Sequence, residues 1–219
     1  MTEAATTSAT ATAVLTARSA TASATPLSDT HVPDTHPSEA HPAAIRVPET
    51  RVPDTAAFRA AMGRFPTGVT LLTQGSDETT SVITLNSLTS VSLDPLLILV
   101  SVKADGRMRP RVARSGSFAV NVLSRHQQDL AQEFCRPDRP AGPAAMARLR
   151  AARGVLGNAV VPAAEAYFEC VLEAEYAAGD HTLLVGRVVA LGAGDAGPDP
   201  LVFHQGGFTR LPLDTAASA

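Results

Sequence analysis

The stretch SVITLNSLTSVSLDPLLILVSV, residues 81–102, places a polar segment between two apolar runs. The runs at 81–85 and 95–102 are rich in branched apolar residues and predict β-strands. The second run is continuous, which is typical of a strand buried on both faces. The middle, residues 84–95, collects hydroxyl and amide side chains where a plain connection would need only a turn: Thr84, Asn86, Ser87, Thr89, Ser90 and Ser92.

These side chains are short, neutral hydrogen-bond donors and acceptors. They suit a ligand with many heteroatoms and one phosphate, because backbone N–H groups and hydroxyls bind such a ligand without a large positive charge. An alternative interpretation of residues 84–95 is a serine- and threonine-rich strand and turn that binds nothing.

Further β-type runs extend from this stretch in both directions. They lie at residues 69–73, 117–123, 166–176, 182–191 and 201–203. The run at 166–176 alternates between apolar and polar residues and predicts a hairpin with 182–191. Seven short strands predict a mainly β fold, an antiparallel barrel or sandwich with a few peripheral helices. A Rossmann fold is not favoured, because regular helical crossovers are missing.

Three helices are predicted, at residues 55–65, 124–135 and 144–152. Asp54 or Thr55 is the expected N-cap of the first helix. Ser124 and Gln127 have the spacing of a capping box at the start of the second. Residues 136–143, RPDRPAGP, are interpreted as a surface loop.

The 219 residues include 18 basic and 21 acidic side chains, a formal net charge of −3. Residues 1–54 are rich in Ala, Thr, Ser and Pro, lack aromatic residues and carry all of that net charge, so we expect a disordered tail. The folded domain is expected at 55–213, with a second short disordered tail at 214–219. A neutral domain argues against nucleic-acid and anionic-membrane partners. No apolar run reaches the roughly 18 residues of a membrane span.

Cysteine and histidine usage points away from metal and disulfide chemistry. Two cysteines, Cys135 and Cys170, predict reduced thiols in a cytoplasmic protein and are interpreted as small core residues. The proline-rich segment with three histidines at five-residue spacing is interpreted as a solvated linker rather than a metal site: His31, His36 and His41. The other histidines do not have the spacing of metal ligands, so no metal site is predicted.

From Phe58 to Leu211 the sequence resembles the short-chain flavin reductases, the FMN- or FAD-binding split-barrel partners of two-component monooxygenases. Five blocks match in the family's order: FRAAMGRFPTGVTLLT, TLNSLTSVSLDPLLILVSV, SGSFAVNVLSRHQQDLAQEF, GDHTLLVGRV and PLVFHQGGFTRL. The resemblance implies an antiparallel split β-barrel (an FMN-binding split barrel). It also implies an oxidoreductase that reduces FMN or FAD with NADH or NADPH for a partner oxygenase, and a homodimer with the flavin site between its subunits.

The resemblance also implies a set of site residues. Residues 84–87 are placed along the isoalloxazine and ribityl chain, while Lys103, Arg107 and Arg109 are candidates for the phosphate. His181 is the implied catalytic residue, which orients the nicotinamide or the flavin edge. The implied flavin-binding residues are Thr67, Thr84, Leu85, Asn86, Ser87, Ser101, Val102, Lys103, Arg107, Arg109 and Phe208.

The sequence departs from the family pattern in four places. Leu85 replaces a small residue near the ring, Leu96 follows Asp94-Pro95 where the family has a second proline, Phe208 replaces a tyrosine, and the phosphate loop at 104–109 has no hydroxyl. Two other functions therefore stay open. One is a flavin-dependent tailoring oxygenase or redox enzyme that acts directly on a small molecule, and the other is a non-catalytic flavin carrier.

Overall fold

The structure is a computed structural model that describes residues 54–194 and 199–211. The predicted tail at 1–54, except for Asp54, lies outside these ranges, as do the predicted tail at 214–219 and the last two residues of the predicted domain. Among the helices of the described ranges, none combines the length and the apolar character that crossing a bilayer requires.

The described residues form four α-helices and twelve β-strands, so the chain is mainly β, as predicted. The helices are α1 (Thr55–Met62), α2 (Met108–Ser115), α3 (Gln128–Phe134) and α4 (Gly142–Leu149). The strands are β1 (Thr67–Gly68), β2 (Thr70–Gln74), β3 (Ser81–Leu85), β4 (Thr89–Leu93), β5 (Leu96–Lys103), β6 (Ser117–Val122), β7 (Ala152–Arg153), β8 (Ala159–Val160), β9 (Ala166–Ala178), β10 (His181–Ala193), β11 (Val202–His204) and β12 (Gly207–Thr209).

A seven-stranded antiparallel sheet in the order β3-β2-β6-β9-β10-β5-β4 makes the body of the fold. Its longest pairing is the predicted hairpin of β9 and β10, whose register runs from His181 opposite Ala178 to Ala193 opposite Ala166. Strands β1, β11 and β12 form a second sheet, and β7 pairs with β8.

The two edge strands of the main sheet, β3 and β4, are joined by only three residues, 86–88. A flat sheet of seven strands would separate its edges by about 29 Å, at roughly 4.8 Å per strand. A connection of this length reaches about 14 Å at most. The sheet must therefore curl until its edges approach each other, and this curling produces a barrel.

The barrel interior and the helix-covered face have separate apolar cores. The interior core includes Leu72, Val100, Phe118 and Leu184, and the outer core, between β2 and helices α3 and α4, contains Val69, Leu71, Leu123, Phe134, Leu149 and Leu201. Consecutive residues of β2 point into different cores, so this strand is buried on both faces.

The prediction that residues 95–102 form a strand buried on both faces is wrong. Strand β5 alternates: Ile98, Val100 and Val102 are buried, whereas the residues between them are half-buried and Leu96 is exposed. Its outer face carries no layer of described residues. The apolar character of the run therefore reflects a surface that is uncovered in the described part of the chain.

Six elements of the described structure were not predicted: the short strands β1, β7, β8 and β12, strand β4 and helix α2. Strand β4 is built from the polar part of residues 84–95, so half of that segment is a strand at a sheet edge. Helix α2 contains three arginines and a proline and buries only Met108 and Val112, so it lacks a clear apolar stripe. Pro110 lies in its first turn, where a missing N–H costs nothing.

Helix α1 begins where predicted, with the Asp54 carboxylate accepting a hydrogen bond from the Ala57 N–H at 2.7 Å. None of its residues is buried within the described structure. The apolar side chains of the predicted stripe are 61%, 50% and 65% exposed for Phe58, Met62 and Phe65. An isolated helix of eight residues is not stable in water, so this face needs a cover.

The two cysteines differ in environment. Cys170 is buried in the barrel core, as predicted, and desolvation followed by the charge of Glu169 raises the pKa of its thiol to about 12. The prediction that Cys135 is also a core residue is wrong, because it is exposed at the C-terminal end of α3.

Glu169 is a buried carboxylate that anchors the turn between β7 and β8. It is 1% exposed and accepts hydrogen bonds from the Val155 N–H at 2.6 Å and the Leu156 N–H at 3.2 Å. Gly154 lies so close that a Cβ there would overlap the carboxylate. These bonds compensate for the desolvation of the charge.

We expect Glu169→Gln to lower the free energy of unfolding by about 1–3 kcal/mol, because the amide accepts hydrogen bonds less strongly than a buried carboxylate. The matched control is Glu173→Gln on the same strand, where the exposed pair with Arg187 is worth less than about 1 kcal/mol. Denaturant titration at neutral pH measures both. Equal losses in the two variants would contradict the anchoring role.

Candidate functional site

A cavity of about 710 Å³ lies where the two edges of the curled sheet approach each other. The end of β3 and residues 86–87 form one wall, and the end of β5 with the loop to α2 forms another. The end of α3, the start of β10, and β11 with β12 complete it. This volume is within the range of roughly 300–1,000 Å³ for small-molecule sites.

Ten of the twelve predicted site residues line this cavity. They are Thr84, Leu85, Asn86, Ser87, Ser101, Val102, Lys103, Arg107, His181 and Phe208. They come from five separate parts of the chain, and the curling of the sheet brings them together.

Two hydroxyls of the polar segment are used by the fold itself. Thr84 Oγ1 donates to the Ala131 carbonyl at 2.7 Å and ties β3 to α3. Ser87 Oγ donates to the Ser101 carbonyl at 3.3 Å and accepts from the Ser101 N–H at 3.0 Å. The side chain of Asn86 is exposed and has no hydrogen-bond partner in residues 54–194 or 199–211, so its amide is available to a ligand.

The other two predicted residues do not line the cavity. Arg109 points away from it and pairs with Glu175, at 3.1 Å from Nη2 to Oε2. Residues two apart on a helix leave it in different directions, so Arg107 and Arg109 do not share a ligand. Thr67 lies on β1 opposite Phe203, and its hydroxyl is buried without a hydrogen-bond partner among the described residues.

The part of the cavity wall at the end of α3 and just after it was not predicted from the sequence. Phe134, Cys135, Pro137 and Arg139 line the cavity, although residues 136–143 read as a surface loop. Arg139 is half-buried, and burial followed by the charge of Arg107 lowers the pKa of its guanidinium. No local pattern marks these residues, because only the packing of α3 against β3 brings them to the cavity.

His181 is the first residue of β10 and lies opposite Lys103, the last residue of β5. Its Nδ1 is 2.8 Å from Asp180 Oδ1, and this hydrogen bond, followed by the histidine charge, holds the pKa of Asp180 below its usual range. A carboxylate on Nδ1 fixes the ring orientation and the tautomer. Nε2 then remains for a ligand.

The lining contains both apolar and cationic side chains. Phe203 and Phe208 form an edge-to-face pair with ring centroids 5.6 Å apart, and Val69 and Leu85 also line the cavity. Lys103, Arg107 and Arg139 supply three cations against the single carboxylate of Asp105. A ligand with a flat ring at one end and an anionic group at the other matches this lining, and a flavin nucleotide has both features.

The comparisons with known proteins agree with this geometry. Residues 62–212 match the family model described as a flavin reductase like domain. The NADH-dependent FMN reductase AsuE2 of Streptomyces nodosus subsp. asukaensis is 46% identical over 154 residues, which cover 70% of this chain and 83% of that protein. The chain therefore belongs to the flavin reductase family.

Solved structures give the same result for the fold. The crystal structure of BorF, the flavin reductase component of a bacterial two-component tryptophan halogenase, is similar with a TM-score of 0.68 and 42% identity. The match covers 73% of this chain and 99% of the BorF chain. The NADH:FAD oxidoreductase SgcE6 of Streptomyces globisporus, in complex with NAD and FAD fragments, is similar with a TM-score of 0.67 and 32% identity. That match covers 74% of this chain and 96% of the SgcE6 chain. The predicted antiparallel split barrel is confirmed.

Proposed function

We propose that this protein is an NAD(P)H:flavin oxidoreductase that reduces FMN or FAD for a partner monooxygenase. The supporting observation is a cavity of about 710 Å³ that has both apolar and cationic side chains in its lining and is lined by residues from all five family-like blocks. Relatives named as NADH-dependent FMN and FAD reductases support the same reaction, and so does BorF, the flavin reductase component of a two-component tryptophan halogenase.

A bound flavin supplies the hydride acceptor and NADH or NADPH supplies the hydride. The chain's part is to bind and orient both molecules. Backbone N–H groups near Asn86 and Ser87 would donate to the flavin ring and stabilise the negative charge that forms on reduction. His181, held by Asp180, would orient the nicotinamide or the flavin edge, and no acid or base is needed for hydride transfer. The open cavity would let the flavin leave after reduction.

The alternatives of a directly acting redox enzyme and a flavin carrier gain no support from the described residues. Leu85, which motivated the directly acting enzyme, packs partly against the barrel core. The loop at 104–109 lacks hydroxyls, but it carries Arg107 into the lining. Lys103 and Arg107 therefore stay candidates for the flavin phosphate.

We further propose that the protein is a homodimer. The exposed face of α1 is an apolar surface that needs a cover, and the main sheet has further exposed apolar side chains at Leu93, Leu96, Val189 and Leu191. A second copy of the chain would bury exposed apolar side chains of this kind. The cytoplasmic location is a proposal that rests on the two reduced cysteines, and the lack of nucleic-acid and membrane partners is a proposal that rests on the neutral domain.

The direct test of the reaction is anaerobic absorbance spectroscopy of the purified protein. We expect NADH or NADPH to bleach the band of added FMN or FAD far faster than in protein-free solution. Bleaching at the protein-free rate, together with tight flavin binding, would identify a carrier. The absence of both would refute the reductase assignment.

The roles of His181 and Asn86 are separable. We expect His181→Ala to slow flavin reduction by on the order of ten- to hundredfold, because the nicotinamide is misplaced, with little change in flavin affinity. Asn86→Ala should instead raise the dissociation constant of FMN by about three- to tenfold, as for loss of one hydrogen bond. Stopped-flow absorbance and fluorescence titration measure the two effects. An equal loss of rate and affinity in His181→Ala would contradict its role.

We expect sedimentation velocity to show a dimer that Phe58→Asp or Phe65→Asp converts to a monomer, because the charge would be buried in the interface. Ala56→Glu is the matched control, since residue 56 lies on the opposite side of α1. A wild-type monomer would mean that the apolar face is covered from within the chain.

A further inference from the structure

Five arginines lie on one side of the barrel, between helix α2 and the segment that follows α3. Arg107 already has helical backbone angles, and Arg111 and Arg114 follow it at i+4 and i+7, so the three side chains leave one side of α2. Arg136 and Arg139 belong to the segment after α3. We call these five residues the arginine surface.

Hydrogen bonds to the backbone hold the two groups of arginines next to each other. Arg107 Nη2 donates to the Pro137 carbonyl at 3.0 Å, which joins α2 to the segment after α3. Arg111 Nη1 and Arg139 Nε donate to carbonyls within residues 79–82, at 3.3 and 2.7 Å. The acceptors are neutral carbonyls, so these bonds fix the positions of the guanidinium groups and leave their charges uncompensated.

The arginine surface forms no ion pair with a described carboxylate. Within residues 54–194 and 199–211, no carboxylate oxygen lies within 4.0 Å of its guanidinium nitrogens. Asp77 and Glu133 are near in the sequence, but they pair with arginines outside this surface. The other acidic residues close in sequence to the five arginines or to their carbonyl partners are Glu78, Asp105 and Asp138. The excess of positive charge is local, since residues 55–219 have equal numbers of acidic and basic side chains.

This arrangement does not stabilise the fold. Like charges three or four residues apart on a helix destabilise it, and the first turn of α2 contains no acidic residue that would offset them. The charge of Arg107, after burial, lowers the pKa of the Arg139 guanidinium, so the two groups of arginines repel each other. These charges are therefore suited to an anionic molecule outside the chain.

The arginine surface continues the cavity wall outward. Arg107 and Arg139 line the cavity, whereas Arg111, Arg114 and Arg136 lie outside its lining. At a rise of about 1.5 Å per residue, Arg114 is about 10 Å along α2 from Arg107. Charges act over about 8 Å at physiological ionic strength and about 30 Å at 0.01 M. The outer three arginines therefore act on an anion as it approaches, without contacting it once it lies in the cavity.

We propose that the arginine surface attracts anionic nucleotides to the cavity and raises the rate at which they associate. The flavin nucleotide and the nicotinamide dinucleotide of the proposed reaction both carry phosphate charge, and a cleft lined by one sign of charge raises the on-rate of oppositely charged ligands. A flavin that leaves after each reduction must be captured anew in each cycle, so this rate matters for turnover. The inference rests on the proposed function, because it takes the cavity to be the nucleotide site.

The test measures association and dissociation separately, by stopped-flow fluorescence of FMN mixed with the full chain. The triple variant Arg111→Gln/Arg114→Gln/Arg136→Gln removes only the outer charges. At an ionic strength of about 0.01 M we expect its association rate constant to be about three- to tenfold below that of wild type, with a change of less than about twofold in dissociation. At about 1 M, where charges are screened within about 3 Å, the two proteins should associate at equal rates.

Two controls separate steering from other effects. The triple variant Arg125→Gln/Arg150→Gln/Arg187→Gln removes the same net charge from residues that neither line the cavity nor belong to the arginine surface. It should associate with FMN nearly as fast as wild type does. Riboflavin, which has no phosphate, should associate at the same rate with all three proteins at both ionic strengths.

Three results would overturn the inference. The first is equal FMN association for the outer triple variant and wild type at low ionic strength. The second is a deficit that persists at about 1 M, which would indicate an altered structure rather than a lost field. The third is a rise in the dissociation rate constant as large as the fall in association, which would mean that the outer arginines contact the bound ligand.

Two further results have a defined meaning. If Arg111→Gln disturbs folding through the lost bond to residues 79–82, the double variant Arg114→Gln/Arg136→Gln, which changes exposed residues only, carries the same test. Wild-type protein that binds no FMN would refute the proposed function itself, whereas wild-type FMN association that does not depend on ionic strength would refute the steering alone.

Discussion

The short connection between the two edge strands is the constraint on which the rest of the structure depends. Three residues, 86–88, must join β3 to β4, although five strands separate them in the sheet. The sheet has to curl, and the hydrogen bonds between Ser87 and Ser101 hold the seam. The cavity lies along this seam, so the residues that close the barrel also line the site.

This arrangement explains why the polar segment does two things at once. Its hydroxyls at Thr84 and Ser87 are bonded to the backbone of α3 and β5, so they position the walls of the cavity. Asn86 lies between them with its amide exposed. A ligand-binding loop and a strand that binds nothing were alternatives for residues 84–95; the structure makes 89–93 a strand and places 84–87 in the cavity lining.

The net charge of the whole domain differs from the charge of the cavity lining. Residues 55–219 have equal numbers of acidic and basic side chains, which explains why composition gave no sign of an anionic ligand. The cavity lining nevertheless contains three cations, Lys103, Arg107 and Arg139, and one carboxylate, that of Asp105. Local charge at a site depends on how the chain folds and cannot be read from a net charge.

The sequence by itself determined the class of fold, the hairpin of β9 and β10, the capping of α1 and ten of the cavity-lining residues. Strand periodicity, capping residues and the family-like blocks are local signals, because each is set by residues that lie close together in the sequence. Only the tertiary structure decided that Arg139 and the end of α3 reach the cavity, that Arg109 turns away, and that Cys135 is exposed. These facts depend on contacts between residues far apart in the chain, for which neither spacing nor composition carries a signal.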